Sequence, residues 1–284
     1  MAIDVNSNKY TFGFAAVMVI VVASILAFAS ESLKDRQKAN VKVEKMQNIL
    51  TSVGYNASAD EAEALYNSKL QAAFVLNGAG QTVSEDKEQA FNVDVQKDYR
   101  GGLSKLYNKH RKSLTSWDWA ALEGELVEAG ATYPLYKMES ANGAVAFVVP
   151  MVGTGLWGPV WGYVAVGEDG STIKGASFDH KTETPGLGAE INQASFQRPF
   201  IGKQLMNEAG EYEGITVMKG GAKGSVHAVD AISGGTITSN GVTEMLQRTL
   251  YIYKPFFASL KEEVEPAVEV EEEEVEEEEE EVIG

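Results

Sequence analysis

The sequence predicts an α+β fold: a largely antiparallel sheet flanked by helices, preceded by one membrane-spanning helix and followed by a disordered acidic tail. Three observations predict it. An uncharged apolar run fills residues 12–29. Short β-rich runs then follow one another through the middle of the chain, with helical periodicity on either side of them. From Glu262 onward there are 14 Glu and neither Lys nor Arg.

The apolar run, with Tyr10, Thr11 and Ser30, reaches about 20 residues, enough to cross the roughly 30 Å hydrocarbon core of a bilayer as a helix. A soluble helix rarely needs apolar residues on every side. A cleaved signal peptide is the competing assignment, because Ala27-Phe28-Ala29 has the small-x-small form of a cleavage site. The run is long for that, and the segment before it offers only Lys9 and the amino terminus against Asp4. We therefore expect a retained anchor. Lys34, Arg36, Lys38, Lys42 and Lys45 follow it, and a positive-inside count alone would leave the body in the cytoplasm.

Residues 32–53 read as a helix leaving the membrane, with Val43, Met46, Leu50 and Val53 at spacings of three and four. Residues 60–76 are expected to form a second helix. Residues 116–129 are expected to form a third, capped by Ser116, with Trp117, Trp119 and Leu122 as core or interface. Residues 144–151, 160–166 and 172–178 are expected strands, and Glu168-Asp169-Gly170-Ser171 is a hairpin turn between the last two. Residues 215–218 and 226–231 are further strand candidates. A closing helix is expected over residues 242–257, with Val242, Met245, Leu246, Thr249 and Leu250 on one side. The resulting division is a short lead (1–9), a membrane helix (10–30), a stalk and body (31–261) and the glutamate-rich tail (262–284).

Composition narrows the chemistry. The net charge is −17, but without the 14 tail Glu the 41 acidic residues fall to 27 against 24 basic, so the body carries only −3. Neither part offers the basic footprint that nucleic acid needs. The chain has no Cys, which excludes disulfides, thiol catalysis and Cys-ligated zinc or iron–sulfur clusters. His110, His180 and His227 are scattered, so no metal site is expected. Redox chemistry here requires an organic cofactor.

Glycine-rich segments are the remaining candidates. Gly153-Thr154-Gly155-Leu156-Trp157-Gly158 has the letters of a dinucleotide fingerprint, but Pro159 and a β-rich run follow where a helix should open. The segment 180–188 (HKTETPGLG) must turn tightly. It serves equally as a hairpin connection or as a backbone platform for a flat ligand. The segment 230–240 (DAISGGTITSN) sets hydroxyls and glycines at a helix start. That suits an ordinary capped helix, and it also suits a phosphate held by helix N–H groups.

Together these segments resemble the flavin-binding domain of the C subunit of the sodium-translocating NADH:quinone reductase, over roughly residues 10–258. Gly155-Leu156-Trp157-Gly158 with Tyr163 carries part of the likeness. Glu183-Thr184-Pro185-Gly186-Leu187-Gly188, with His180 upstream, carries another. The Asp-x-x-Ser-Gly-x-Thr pattern at Asp230, Ser233, Gly234 and Thr236 carries the third. The resemblance implies FMN joined by a flavin transferase as a phosphoester to Thr236, with Gly235 where the family pattern usually has Ala. It implies FMN contacts from Trp157, Glu183, Thr184, Gly186, Leu187, Gly188, Asp230, Ser233, Gly234 and Gly235. It implies an electron relay among the subunits of a membrane redox pump, from NADH toward quinone, coupled to sodium export. The flavin domain would face the periplasm of the bacterial inner membrane, against the charge count. The flavinylated G subunit of the ferredoxin:NAD oxidoreductase complex shares these motifs. A non-redox anchored binding module is the alternative of another class.

Overall fold

The computed structural model describes the backbone of residues 7–283, and side chains over residues 7–260. The segment 262–284, expected to be disordered, falls outside the residues described in full. The chain divides into two compact units, residues 1–46 and 47–284.

In the first unit, helix α1 (Asn8–Ser52, which ends in the second unit) carries the apolar run. Its mean hydropathy reaches 2.7 over an 18-residue window with none of that window buried, so it is long and apolar enough to span a bilayer. Thr11 and Ser24 return their hydroxyls to the carbonyls of Ser7 and Ile20, so these polar groups are satisfied within the helix.

The second unit opens on the last turns of α1, where Ile49 and Leu50 are buried, followed by buried Val53 just past the helix end. Helix α2 (Ala59–Lys69) follows a capping box in which the Glu61 carboxylate accepts from the Ser58 amide and hydroxyl. The helix expected over 60–76 stops there. Leu70–Leu76 is strand β1, which pairs with β2 (Thr82–Ser84). The run LQAAFVL is too apolar for a solvent-facing helix turn and finds its partners in the sheet. Helices α3 (Lys87–Asn92) and α4 (Val95–Asp98) are capped by the Asp86 and Asp94 carboxylates. A π-helical turn at Tyr99–Leu103 leads into α5 (Ser104–His110). A small hairpin, β3 (Arg111–Ser113) with β4 (Ser116–Trp117), precedes α6 (Trp119–Glu128). Ser116 is thus a strand residue, and Asp118 takes the cap position.

Strands β5 (Tyr133–Glu139), β6 (Val145–Thr154), β7 (Pro159–Gly167) and β8 (Ile173–His180) complete the main sheet. Its order is β2-β1-β5-β6-β7-β8, antiparallel throughout. The three middle strands expected from the sequence are present; β1, β2 and β5 are additions. Helix α7 (Ala194–Gln197) sits between two 3-10 turns, and β9 (Thr216–Met218) pairs parallel with β10 (Ala228–Asp230). Helix α8 is assigned over Thr236–Ile283 and starts six residues before the expected position.

Helix α8 is enclosed rather than one-sided. All ten residues 241–250 are buried. Val242, Met245, Leu246 and Leu250 join the core, as expected. The polar side is buried too, because other segments supply partners. Thr243 Oγ1 accepts the Val217 amide at 2.9 Å, and Gln247 donates to the Glu213 carbonyl at 3.1 Å. Glu244 bridges Arg111 (2.8 Å) and Arg248 (3.2 Å). The Arg248 guanidinium donates to the Val152 carbonyl and lies 4.1 Å from the Tyr107 ring centroid. Burial opposes the Arg248 charge, but Tyr107, Glu244 and Tyr99 outweigh it and raise its pKa.

Candidate functional site

Register brings three separate loops to one end of the sheet. The β6–β7 ladder runs from Ala146↔Gly167 to Thr154↔Pro159, so its tip is residues 155–158. Strand β8 pairs Val160 with His180, so the chain leaves β8 beside that tip and enters the 181–188 loop. The start of α8 arrives at the same end because it lies almost in contact with β6. A Cβ on Gly241 would stand 2.0 Å from the Thr154 carbonyl oxygen, and one on Gly153 would meet Gly241 O at 3.1 Å. Two glycines facing each other permit this approach.

Glu183 joins the three loops and is 5% exposed. Its Oε1 accepts the Trp157 amide at 2.8 Å, and its Oε2 accepts the Thr238 hydroxyl at 2.5 Å. Its own amide donates to His180 Nδ1 at 3.2 Å. The Thr182 hydroxyl adds a bond to the Trp157 carbonyl at 3.0 Å. The small residues are sterically required. A Cβ on Gly155 would come within 2.6 Å of Glu183 Oε1, and one on Gly188 within 2.3 Å of Oε2. The segment 184–188 folds back on itself. The Leu187 and Ala189 amides both donate to the Thr184 carbonyl, and Gly186 takes φ +76° with its amide on Glu190.

Residues 230–239 form a turn that ends as a helix begins. Gly234 has φ +74°, and a Cβ there would lie 2.6 Å from a Leu187 methyl. Buried Gly235 packs near the Gly188 amide, where a Cβ would stand 3.4 Å away. The Gly235 amide donates to Ile232 O, and Ser239 Oγ accepts the Ile232 amide. Thr236 is the first residue of α8. The first intrahelical bond is from the Ser239 amide to Gly235 O. Helix geometry therefore leaves the N–H groups of Thr236, Ile237 and Thr238 without intrahelical acceptors. That end favours an anion.

The loop segments expected from the sequence thus meet, from Trp157, Glu183, Thr184, Gly186, Leu187 and Gly188 to Gly234, Gly235 and Thr236. Ser233 is exposed on the same turn. Asp230 instead aims its carboxylate at the Ala222 amide (2.6 Å), fixing the neighbouring 219–222 loop. Thr238 is the site residue that sequence reasoning misses. Two residues beyond the motif position, it reads from sequence only as a less likely acceptor than Thr236, and only the fold shows it 1% exposed and bonded to Glu183. Leu156, Trp157, Leu187 and Ile237 present exposed apolar side chains on these same loops, 49%, 66%, 42% and 56% exposed.

A hydroxyl on a helix N-terminus, glycines on two flanking loops and an exposed apolar rim fit a flat aromatic ligand carrying a phosphate. The N–H groups at the start of α8 match its charge, and a Cβ on Gly186 would meet nothing within 4 Å, so that loop is open on its outer side.

Comparison with known proteins agrees. Residues 155–251 match the FMN-binding domain family. The C subunit of the Na(+)-translocating NADH-quinone reductase of Vibrio parahaemolyticus is 31% identical over 245 residues, covering 85% of this chain and 90% of that protein. The Chlamydia muridarum protein of the same name is 28% identical, covering 90% and 94%. The crystal structure of the same protein from Parabacteroides distasonis superposes with a TM-score of 0.63 at 37% identity, covering 79% of this chain and 96% of that one. A Shewanella oneidensis structure at 23% identity shares the fold, with a TM-score of 0.57.

Proposed function

This chain belongs to the C-subunit family of the Na(+)-translocating NADH-quinone reductases, and from that premise we propose that it carries FMN as a phosphoester on Thr236. We assign it the role of electron relay in a multi-subunit membrane pump that moves electrons from NADH toward quinone and exports sodium. FMN supplies reversible electron transfer to a chain that has no Cys for thiol redox chemistry or Cys-ligated iron–sulfur clusters.

The observation that carries the reading is the position of Thr236. It opens α8, next to N–H groups that the helix cannot use, and it is only partly buried. Thr238 and Ser239 are sealed inside and already bonded. Within the first turn of α8 a transferase could therefore reach Thr236 and not Thr238 or Ser239; the exposed Ser233 lies before the helix, away from its first N–H groups. In this reading the free amides at the start of α8 would hold the phosphate, and the 184–188 loop would cover the ring with Leu187. The Trp157 loop would close the other side. Glu183, committed to an amide and a hydroxyl, would be kept from the like-charged phosphate.

Helix α1 is assigned as a single-pass anchor in the bacterial cytoplasmic membrane, with the body on the periplasmic side. A reporter fused after Lys261 should be active outside the cytoplasm; activity only inside would reverse the topology. A flavin transferase is the partner during maturation. The names of the curated relatives favour the sodium pump over the ferredoxin:NAD oxidoreductase complex.

The test is a denaturing gel viewed under ultraviolet light. The wild-type band from cells with active transferase should fluoresce, and Thr236→Val should be dark. A dark wild-type band would favour a noncovalent binding module.

A further inference from the structure

We propose that Thr238 is a positioning residue for the flavin ring, acting through Glu183; this rests on the assignment of FMN to Thr236. Three segments distant in sequence meet at one carboxylate. Oε2 takes the Thr238 hydroxyl from the first turn of α8 at 2.5 Å, and Oε1 takes the Trp157 amide from the β6–β7 tip at 2.8 Å. The carboxylate itself belongs to the loop that ends in Gly188.

The clasp is enclosed, with Thr238 1% and Glu183 5% exposed. A buried carboxylate oxygen that loses its donor must recover one from water. Without the Thr238 hydroxyl, Glu183 would turn outward and draw the Trp157 amide with it. The surroundings are shaped to the clasp. A Cβ on Gly188 would stand 2.3 Å from Oε2 and 2.5 Å from Thr238 Oγ1, and a Cβ on Gly155 would stand 2.6 Å from Oε1. Both glycines leave room for this one carboxylate position. Thr236 lies two residues before Thr238 on the same turn. The clasp therefore sets the spacing between the attachment point and the loops that flank it. Thr236 holds the phosphate end; Thr238 fixes the gap into which the ring is laid.

The experiment uses the full chain, expressed with an active flavin transferase, as wild type, Thr238→Val, Thr238→Ala, Thr238→Ser and Glu183→Gln. Valine keeps the shape of threonine and removes the hydroxyl; serine keeps the hydroxyl. Three readouts are taken: flavin fluorescence of the denatured band, iodide quenching of the native flavin, and hydrogen exchange of the Trp157 amide. T238V should keep a fluorescent band, about double its quenching constant, and exchange the Trp157 amide about tenfold faster, the scale of one net hydrogen bond. T238S should match wild type. If T238V does not fold, Thr238→Ala must show the same two changes, since it removes the same hydroxyl; Glu183→Gln, whose Oε1 can still accept the Trp157 amide while Nε2 donates to the Thr238 oxygen, should stay near wild type. Native quenching and wild-type amide exchange in a folded T238V, or T238S behaving like T238V, would overturn the proposal. A dark wild-type band would remove the Thr236 assignment and with it the ring-positioning role, and amide exchange would then decide the clasp alone.

Discussion

Replacing Gly241 by alanine puts two physical effects in opposition. Helix propensity alone favours the change, because alanine is better than glycine in a helix interior by about 1 kcal/mol. The packing of α8 on β6 opposes it. The new Cβ would fall 2.0 Å from the Thr154 carbonyl oxygen and 3.0 Å from its carbon, both backbone atoms that no rotamer change can move aside. Reaching ordinary contact would push the first turns of α8 off the sheet by more than 1 Å at the end that carries the site. Overpacking of this kind costs about 1–3 kcal/mol, and a rigid backbone neighbour places it at the upper end. The net expectation is a loss of about 2 kcal/mol, or roughly 4–8 °C in Tm for a body of this size. Gly124 supplies the control. It lies in α6 with nothing within 4 Å of its would-be Cβ, so Gly124→Ala shows propensity alone. Thermal melts of the detergent-solubilised chain should lower the midpoint for G241A and leave it level or raise it for G124A. A G241A midpoint at or above wild type would refute the close approach of helix and strand on which the site depends.

Other perturbations read other parts of the structure. Glu244→Ala should cost about 3–5 kcal/mol in chemical denaturation, because it leaves Arg248 buried at 2% exposure without its carboxylate; Arg111→Ala, at the exposed side of the same carboxylate, should cost less. The pKa of Asp169 is lowered: burial pushes it up, but bonds from the Thr172 hydroxyl and the Ser171 and Thr172 amides, with Lys174 nearby, prevail. Its contribution is therefore complete above the ordinary carboxylate range and is lost as pH falls through the folded value, below about pH 4; Asp169→Asn should flatten stability against pH in that acid window and leave neutral pH with a constant offset. Truncation after Lys261 should leave flavin attachment unchanged on a fluorescent gel, since the site is built from residues 153–241; a dark truncated band would place the tail in attachment.

What can be read from the sequence follows from strong local signals. The β6–β7–β8 runs alternate with turn residues whose chemistry is local, so their strands lie where the sequence expects them. The glycine loops are marked by composition, although not their convergence, which depends on the register of β6 against β7 and of β7 against β8. Strand β1 reads as helix because Leu70–Leu76 continues the pattern of α2; the ladder with β5 overrides that propensity. Strand β5 escapes notice because Pro134 interrupts it, yet its carbonyl still accepts the Tyr253 hydroxyl at 2.8 Å. The early start of α8 at Thr236 is hidden by Thr, Ser, Asn and Gly, poor helix formers that here satisfy one another through Ser239 and Glu183. The polar core around Arg248 leaves no periodic signal, because its partners Arg111, Val152 and Tyr107 come from elsewhere in the chain.

Mass mapping of the peptide that contains residues 230–248 tests the central claim most directly. In chain purified from cells with an active flavin transferase, that peptide should be heavier by one FMN less one water, with fragment ions placing the addition on Thr236. An unmodified peptide, or an addition placed on Thr238 or Ser233, would contradict the account.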